Sequence, residues 1–301
     1  LAPVTLMAEK IDDDRTSIQA GDRVIMIVED DPRFASILLD FAHENGFKAL
    51  VANQGQSAVA LAKQYQPSAI TLDLQLPDTT GWAVLDQLKH EPATRHIPVH
   101  IISVDREAER GRRLGAWGYV TKPADEEALT QTFARMEDFI ARKEKSLLVV
   151  ENKDEGSESI ATLIGDEDVH VTQVSSSEEA MAALKEKSFD CMVLDLSLPD
   201  AMGFDLIDDI KKEANLRALP IIVNATKGLA AEDEARLKEA AKSVIVKHAR
   251  SRESLLNEVS LFLHRVEANL PEPKRKILEQ IRKHDPFLAG KRVLVVDDDV
   301  R

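Results

Sequence analysis

A ten-residue segment that occurs twice constrains the fold of this chain more than any other feature of its sequence. Residues 72–81 read LDLQLPDTTG, and residues 194–203, 122 positions later, read LDLSLPDAMG. Residues 28–31 (VEDD) and 150–153 (VENK) match at the same offset. A repeat of this length predicts tandem domains, because the repeating units of solenoid proteins are several-fold shorter.

A third, partial copy stands at the end of the chain. Residues 290–299 read GKRVLVVDDD and resemble residues 21–30, which read GDRVIMIVED. We therefore expect this chain to be a piece of a longer protein, with two complete units and the start of a third. The predicted organisation is a linker (residues 1–21), unit one (22–143), unit two (146–268), a helical linker (269–290) and the third start (291–301).

Composition excludes several classes of protein. The chain has 301 residues, 44% of them hydrophobic, which is enough for about two domains with buried cores. Its net charge of −14 argues against binding of nucleic acid, which needs a basic face. We predict no membrane contact, because no apolar stretch approaches the roughly 18 residues of a membrane span. The single cysteine, Cys191, cannot form an internal disulfide, which suits a reducing cytoplasm.

Strands and helices are predicted to alternate in both units. A continuous apolar run at residues 24–28 indicates a buried strand, and a further strand is predicted at residues 99–103, with helical patterns in the gaps between the strands. We predict an α/β fold with two flavodoxin-like units, each a five-stranded parallel sheet in the order 2-1-3-4-5. The last strand of unit two is predicted at residues 244–246, followed by a long helix at 254–268. A charged helix is predicted from about residue 274 to 283.

Five polar residues of unit one are predicted at the ends of its strands: Glu29, Asp30, Asp73, Ser103 and Lys122. The carboxyl ends of parallel strands meet at one edge of a sheet, so we expect these side chains to lie together. Clustered carboxylates favour a hard cation such as Mg²⁺. Asp73 can then attack phosphorus as a nucleophile, while Lys122 and Ser103 offer a charge and a hydroxyl to phosphate oxygens.

These residues and spacings resemble the receiver domains of two-component signalling, over about 240 residues. The resemblance implies that Asp73 is the phosphoacceptor. It also implies that Glu29 and Asp30 hold Mg²⁺ together with Asp73 and the backbone carbonyl of Gln75.

By the same resemblance, Ser103 is the hydroxyl of the conformational switch and Tyr119 is its rotating aromatic residue. Receivers take phosphate from a histidine of a kinase core or of a phosphotransfer domain. They signal through the face formed by their fourth helix, fifth strand and fifth helix. Tandem receivers with a third behind them resemble the C-terminal part of a hybrid histidine kinase, so a kinase core, in this chain or another, is an expected partner. No kinase catalytic domain lies in this sequence.

Unit two departs from the pattern. Asp195 and Glu151 keep their positions, but Asn152 stands where unit one has Asp30, and Ala225 stands where it has Ser103. Lys247 is matched to Lys122. We expect weak or absent Mg²⁺ binding at Glu151 and Asn152, and slow or absent phosphorylation at Asp195. Unit two is therefore predicted to be a pseudo-receiver that transmits or regulates.

Other functions stay open at this stage. A scaffold that binds and inhibits a kinase core without being phosphorylated is the main alternative, with control by a ligand. An aspartate-nucleophile phosphatase is disfavoured, since a second acid should stand at the position of Gln75. The cluster of arginines in residues 106–113 is interpreted as a solvated helix face, with a nucleotide or acidic partner as the alternative. The run of acids at residues 12–14 is interpreted as solvated linker, with docking on a receiver surface as the alternative.

Overall fold

A computed structural model describes residues 12–151, 159–196, 203–224, 230–240, 246–249 and 251–283. They form two units, each built on a five-stranded parallel sheet with helices on both faces. The predicted fold class is thereby confirmed. Within the described part of the chain, no helix is both long and apolar enough to pass through a lipid bilayer. The predicted third start, residues 291–301, lies outside the described residues.

Unit one has its strands in the predicted order, β2-β1-β3-β4-β5. Its strands are β1 (Val24–Val28), β2 (Lys48–Ala52), β3 (Ala69–Leu72), β4 (Val99–Ser103) and β5 (Gly118–Thr121). Its helices are α1 (Pro32–Glu44), α2 (Gly55–Tyr65), α3 (Gly81–His90), α4 (Ala108–Arg113) and α5 (Glu126–Ala141).

Unit two repeats this order, as β7-β6-β8-β9-β10. Its strands are β6 (Lys145–Val150), β7 (Val169–Val174), β8 (Cys191–Asp195), β9 (Ile221–Asn224) and β10 (Val246–Ala249). Its helices are α6 (Ile160–Ile164), α7 (Ser177–Glu186), α8 (Gly203–Lys212), α9 (Ala231–Ala240) and α10 (Arg252–Phe262), and α11 (Glu272–Lys283) follows it.

The central strand of unit one shows why its apolar runs are continuous. All five residues of β1 are buried. Met26 packs with α2 and α3 on one face of the sheet, while Ile25 and Ile27 pack with α1 and α5 on the other. A strand covered on both faces favours apolar side chains at successive positions. The acidic residues Glu29 and Asp30 accordingly follow β1, at the edge of the sheet.

The acidic segment before unit one is docked on the sheet, where the sequence had favoured a solvated linker. Strand β2 lies at the edge of the sheet, so some of its backbone groups have no neighbouring strand. Carboxylate oxygens of Asp14 and Asp13 accept hydrogen bonds from Ala49 N (2.8 Å) and Val51 N (2.9 Å). Arg15 donates to Val51 O at 3.1 Å. These side chains therefore take the place of a missing strand.

The last long helix of unit two is shorter than the predicted residues 254–268. Helix α10 ends at Phe262, and the chain turns at His264, which has a left-handed φ of +53°. The turn allows the buried Arg265 side chain to reach Asp168 at 2.6 Å, along with Asp166. The ion pairs of Arg265 with Asp166 and Asp168 thus accompany the end of a helix that the sequence periodicity predicted to continue to residue 268.

Helix α11 lies in the segment predicted to be a helical linker, and it packs against unit two. Leu278 is fully buried beside Leu256 and Leu270. Lys274 adds a contact with Asp166 at 2.9 Å. This part of the segment is therefore fixed on the surface of unit two.

Candidate functional site

In unit one, backbone hydrogen bonds between neighbouring strands continue for one residue beyond the strand ends. The amide of Glu29 donates to Ala52 O at 3.0 Å, and the amide of Asp73 donates to Val28 O at 2.9 Å. The amide of Lys122 donates to Ser103 O at 2.8 Å. The fold thus places the predicted site residues along one edge of the sheet, each held by a rigid strand.

Asp73 is 6% exposed, and both of its carboxylate oxygens are engaged. Oδ1 accepts a hydrogen bond from the backbone amide of Gln75 (3.1 Å), and Oδ2 accepts one from Lys122 Nζ (2.6 Å). Gly81, at the start of α3, touches the same residue, since a Cβ there would lie 2.2 Å from the carbonyl oxygen of Asp73. Glycine at this repeat position is therefore required by the close approach of α3 to the site.

Glu29, Asp30 and Asp73 form an acidic cluster. One carboxylate oxygen from each of them lies within 4.8 Å of the others. Glu29 and Asp73 are buried, while Asp30 is exposed, so the cluster opens to solvent on one side. Carboxylate oxygens at this spacing suit a hard divalent cation that keeps part of its water shell, such as Mg²⁺. The donor set therefore fits the predicted metal.

Lys122 joins the two buried carboxylates. Its ammonium group contacts Glu29 at 2.8 Å as well as Asp73 at 2.6 Å, and it lies 4.4 Å from the ring centre of Phe34. Burial acts to lower the pKa of Lys122, but the hydrogen bonds to Asp73 and Glu29 outweigh it and the pKa is raised. Burial raises the pKa of Glu29 to about 7 against the opposing effect of Lys122. The site thus holds a lysine that stays charged.

Ser103 and Tyr119 occupy the positions of the predicted switch. Ser103 is fully buried, and its hydroxyl has no hydrogen-bond partner among the described residues. Tyr119 is half-buried, and its hydroxyl donates to the backbone carbonyl of Asp105 at 2.6 Å. A buried hydroxyl without a partner is costly, so Ser103 is placed to gain from a new acceptor.

The corresponding glutamate of unit two, Glu151, has four donors. Its carboxylate accepts hydrogen bonds from the hydroxyl of Ser159, from Ile160 N (3.0 Å), from Ala161 N (3.4 Å) and from Gln173 Nε2 (2.9 Å). Ile160 and Ala161 begin α6, so Glu151 caps a helix. An oxygen engaged in this way is a poor metal ligand. Asn152 and Ala225 lie outside the described residues.

The structure does not bring Lys247 to Asp195. Strand β10 extends to Ala249, where the sequence predicted an end at residue 246, so Lys247 lies inside the strand. In the sheet, Ala249 pairs with Asn224, and Asn224 pairs with Asp195. Lys247 lies two residues before this level and pairs with Ile222. Lys122 instead follows its strand. No hydrogen bond or ion pair joins Lys247 to Asp195 in the described ranges, and one partner of Asp195 is Asn224 Nδ2 at 3.3 Å.

Two site features had no signal in the sequence analysis. The contact of Lys122 with Glu29, and the position of the Phe34 ring beside it, depend on side-chain directions at the sheet edge.

One arginine of the cluster at residues 106–113 makes contacts within unit one. Arg110 pairs with Glu107 at 3.0 Å and lies 4.4 Å from the ring centre of Trp82.

Comparisons with known proteins identify the family of both units. The model of the response regulator receiver domain matches residues 25–134 and 147–260. The protein PilH of Pseudomonas aeruginosa is 37% identical over 111 residues, which are 36% of this chain and 92% of PilH. The polar-differentiation response regulator DivK of Brucella anthropi is 32% identical over 102 residues, 33% of this chain and 83% of DivK.

One solved structure to which this chain is similar covers both units. The structure of a putative two-component system response regulator and GGDEF domain protein covers 82% of this chain and all of its own, with 20% identity and a TM-score of 0.38. Because the matched family model covers most of both units, the chain belongs to the response regulator receiver family of two-component signalling and contains two of its domains.

Proposed function

We propose that unit one accepts a phosphoryl group on Asp73 from a phosphohistidine of a kinase core or a phosphotransfer domain. One observation carries the proposal: Asp73 lies in an acidic cluster with Glu29 and Asp30, and Lys122 binds its Oδ2. This combination supplies a nucleophile, a cation site and a fixed positive charge. Phosphoryl transfer needs these parts, since it depends mainly on positioning and on charge neutralisation.

In the proposed reaction, a carboxylate oxygen of Asp73 attacks phosphorus. The new P–O bond forms as the P–N bond to the donor histidine breaks, and the neutral imidazole leaves. Lys122, already 2.6 Å from Asp73, neutralises charge on a phosphoryl oxygen. Glu29, Asp30, Asp73 and the carbonyl of Gln75 would hold Mg²⁺, which supplies further neutralisation of the transferred group.

Ser103 and Tyr119 then report the transfer. The buried Ser103 hydroxyl donates to a phosphoryl oxygen and so gains the partner that it lacks among the described residues. Tyr119 gives up its hydrogen bond to Asp105 O and turns inward behind Ser103. Both rearrangements are local, and the hydrogen bond that Ser103 gains offsets the one that Tyr119 gives up, so the two states can differ by little free energy.

A cleft beside the site suits the donor. It has a volume of about 590 Å³ and lies between α1 and the start of α5, with Lys122 among its lining residues. Phe34, Phe41 and Leu129 line it, and Ile37 is 45% exposed next to them. A donor helix with an apolar face would bury this surface and bring its phosphohistidine to Asp73.

We propose that unit two is a pseudo-receiver. Glu151 caps α6, and no hydrogen bond or ion pair between described residues joins Lys247 to Asp195. Among the described residues, the second unit therefore does not repeat the contacts that Glu29 and Lys122 make in unit one. We further propose that the chain works in the cytoplasm as part of a hybrid histidine kinase, as its third receiver-like start suggested.

The test is an intact-mass measurement after incubation with acetyl phosphate and Mg²⁺. We expect one added phosphoryl group in the wild type and in Asp195→Asn, and none in Asp73→Asn or when EDTA replaces Mg²⁺. If no variant gains mass, the chain is a scaffold that works without phosphate. If Asp195→Asn loses the mass and Asp73→Asn keeps it, the roles of the two units are reversed.

A further inference from the structure

The two units are joined by a buried polar contact as well as by the chain. Arg95, in the loop after α3, is 6% exposed and donates to two residues of the second half of the chain: Asn257 Oδ1 at 2.8 Å and Glu267 Oε1 at 2.9 Å. Lys89 is buried behind this loop and donates to the carbonyls of Arg95 (3.2 Å) and Ile97 (2.7 Å). The buried amino group of Lys89, bound to two backbone carbonyls, holds the loop in the shape that presents Arg95.

A row of rings runs across the same boundary. It begins at His100 on β4, the strand that ends at Ser103, and continues through Trp117 and Phe139 to His264 of unit two. Successive ring centres are 5.9, 5.1 and 5.4 Å apart, and the last pair meets edge to face. Aromatic pairs at these distances attract one another. The row therefore connects the switch strand of unit one with the end of α10.

Helix α4 provides a second line of contact from the switch to unit two. A Cβ at Gly111 would lie 2.8 Å from Ile101 and 3.4 Å from the ring of Tyr119, so α4 has no free space above Tyr119. Just after α4, the Cβ position of Gly115 lies 3.6 Å from Lys89 and 3.7 Å from Leu261 of unit two. Helix α4 thus lies close to Tyr119, and the residue after it lies close to Leu261, so a movement of Tyr119 can shift α4 against unit two.

We infer that unit two is the partner that reads the state of Asp73, through the surface formed by the Arg95 loop, α4 and the row of rings. The inference rests on the proposed function of unit one. When Tyr119 leaves Asp105 O, α4 shifts against Leu261 and Lys89, and the hydrogen bonds of Arg95 to Asn257 and Glu267 weaken. Phosphorylation thus loosens the docking of unit two. By linkage, docking in turn opposes the phosphorylated state of unit one.

Hydrogen exchange of the whole chain tests the inference, with phosphate on Asp73 quantified by mass in the same sample. After acetyl phosphate and Mg²⁺, we expect amides of residues 91–97 and 257–267 to exchange about fivefold faster or more. Asp73→Asn should show no such change. If Asp73 carries phosphate and both segments exchange as before, unit two does not read Asp73, although the proposed function stands. If Asp73 takes no phosphate, the proposed function fails and the inference fails with it.

The reciprocal effect gives an independent test. Asn257→Ala removes one acceptor of Arg95, and the buried guanidinium group keeps its ion pair with Glu267. Arg95→Ala removes the whole contact. We expect both variants to bind beryllofluoride, a mimic of the phosphoryl group, more tightly in the presence of Mg²⁺, Arg95→Ala by about fivefold or more. The matched control is Arg275→Ala, an exposed arginine on α11. Equal affinities in Asn257→Ala, Arg95→Ala and the wild type would overturn the coupling.

Discussion

At the scale of single residues, the site of unit one is defined by contacts of Asp73. Lys122 and the amide of Gln75 each bind one of its oxygens, while Gly81 presses on its backbone. The residue types and their order along the chain predicted that Asp73 and Lys122 would meet, because the ends of parallel strands share one edge. The binding of Lys122 to Glu29 could not be predicted in this way, since it depends on which way two side chains turn.

Gly81 and its repeat partner Gly203 allow a matched comparison. A Cβ at Gly81 would meet backbone atoms of Asp73 and Leu74 at 2.2 and 2.6 Å, whereas at Gly203 the nearest atom is the end of the Leu196 side chain at 2.8 Å. We expect Gly81→Ala to lower the free energy of unfolding of unit one by about 3 kcal/mol. Urea unfolding followed by tryptophan fluorescence measures this, because both tryptophans lie in unit one. The unfolding of Gly203→Ala is followed by circular dichroism. If Gly81→Ala loses no more free energy of unfolding than Gly203→Ala, the close packing at Asp73 is contradicted.

Replacing Ser103 should affect signalling without lowering stability. The buried hydroxyl of Ser103 has no partner within the described part of the chain, so Ser103→Ala removes an unsatisfied group and should leave the free energy of unfolding unchanged or raise it by up to about 1 kcal/mol. The same variant should still gain phosphate on Asp73 but lose the faster exchange of residues 257–267. Ser103→Thr, which keeps a hydroxyl, is the control. If residues 257–267 of phosphorylated Ser103→Ala exchange hydrogen as fast as those of the phosphorylated wild type, the hydroxyl is not part of the switch.

Buried histidines make unit one sensitive to acid. Burial lowers the pKa of His100 to about 3, so the folded protein does not take up the proton that the unfolded chain binds below about pH 6.5. The free energy of unfolding therefore falls as the pH drops below that value. We expect His100→Leu to reduce this slope by up to about 1.4 kcal/mol per pH unit. Urea unfolding between about pH 6 and pH 4.5 measures it, with the exposed His90→Gln as control. Parallel curves for His100→Leu and the wild type would disprove the assignment.

At the scale of elements, the sequence predicted the strands and helices of unit one well, because each apolar run belongs to a strand covered on both faces. Three elements of the chain differed, each because of a contact distant in sequence. Helix α10 stops where Arg265 turns to Asp168, and β10 runs on past Lys247. The segment before unit one docks through Asp13 and Asp14 on the edge of β2. No local pattern encodes such contacts.

The docked segment has a measurable effect on stability. Asp14 accepts a hydrogen bond from Ala49 N and pairs with Lys48 at 3.1 Å and with His43 at 2.8 Å. Asp14→Ala leaves an edge amide without its acceptor, so we expect the free energy of unfolding of unit one to fall by about 1–2 kcal/mol. Urea unfolding by tryptophan fluorescence measures the change. The neighbouring Asp12→Ala is the control, because Asp12 is exposed. Equal stability of the two variants would mean that the segment is not docked in solution.

At the scale of the whole molecule, the internal repeat predicted two units but not their arrangement. Repeated sequence shows that the units share a fold, whereas docking depends on residues that differ between them, such as Asn257 and Phe139, whose repeat counterparts are Arg135 and Leu261. These residues bring unit two against the side of unit one that carries α4 and Trp117. The chain thus combines one unit with an assembled acidic site and a second unit whose glutamate caps a helix.

The central claim is that Asp73 alone carries the phosphoryl group, and its position can be measured directly. Borohydride reduces an aspartyl phosphate to homoserine, so treatment after acetyl phosphate and Mg²⁺ marks the modified residue for peptide mass spectrometry. We predict homoserine at position 73 and unchanged aspartate at position 195. Homoserine at position 195, or unmodified aspartate at both positions, would contradict the account.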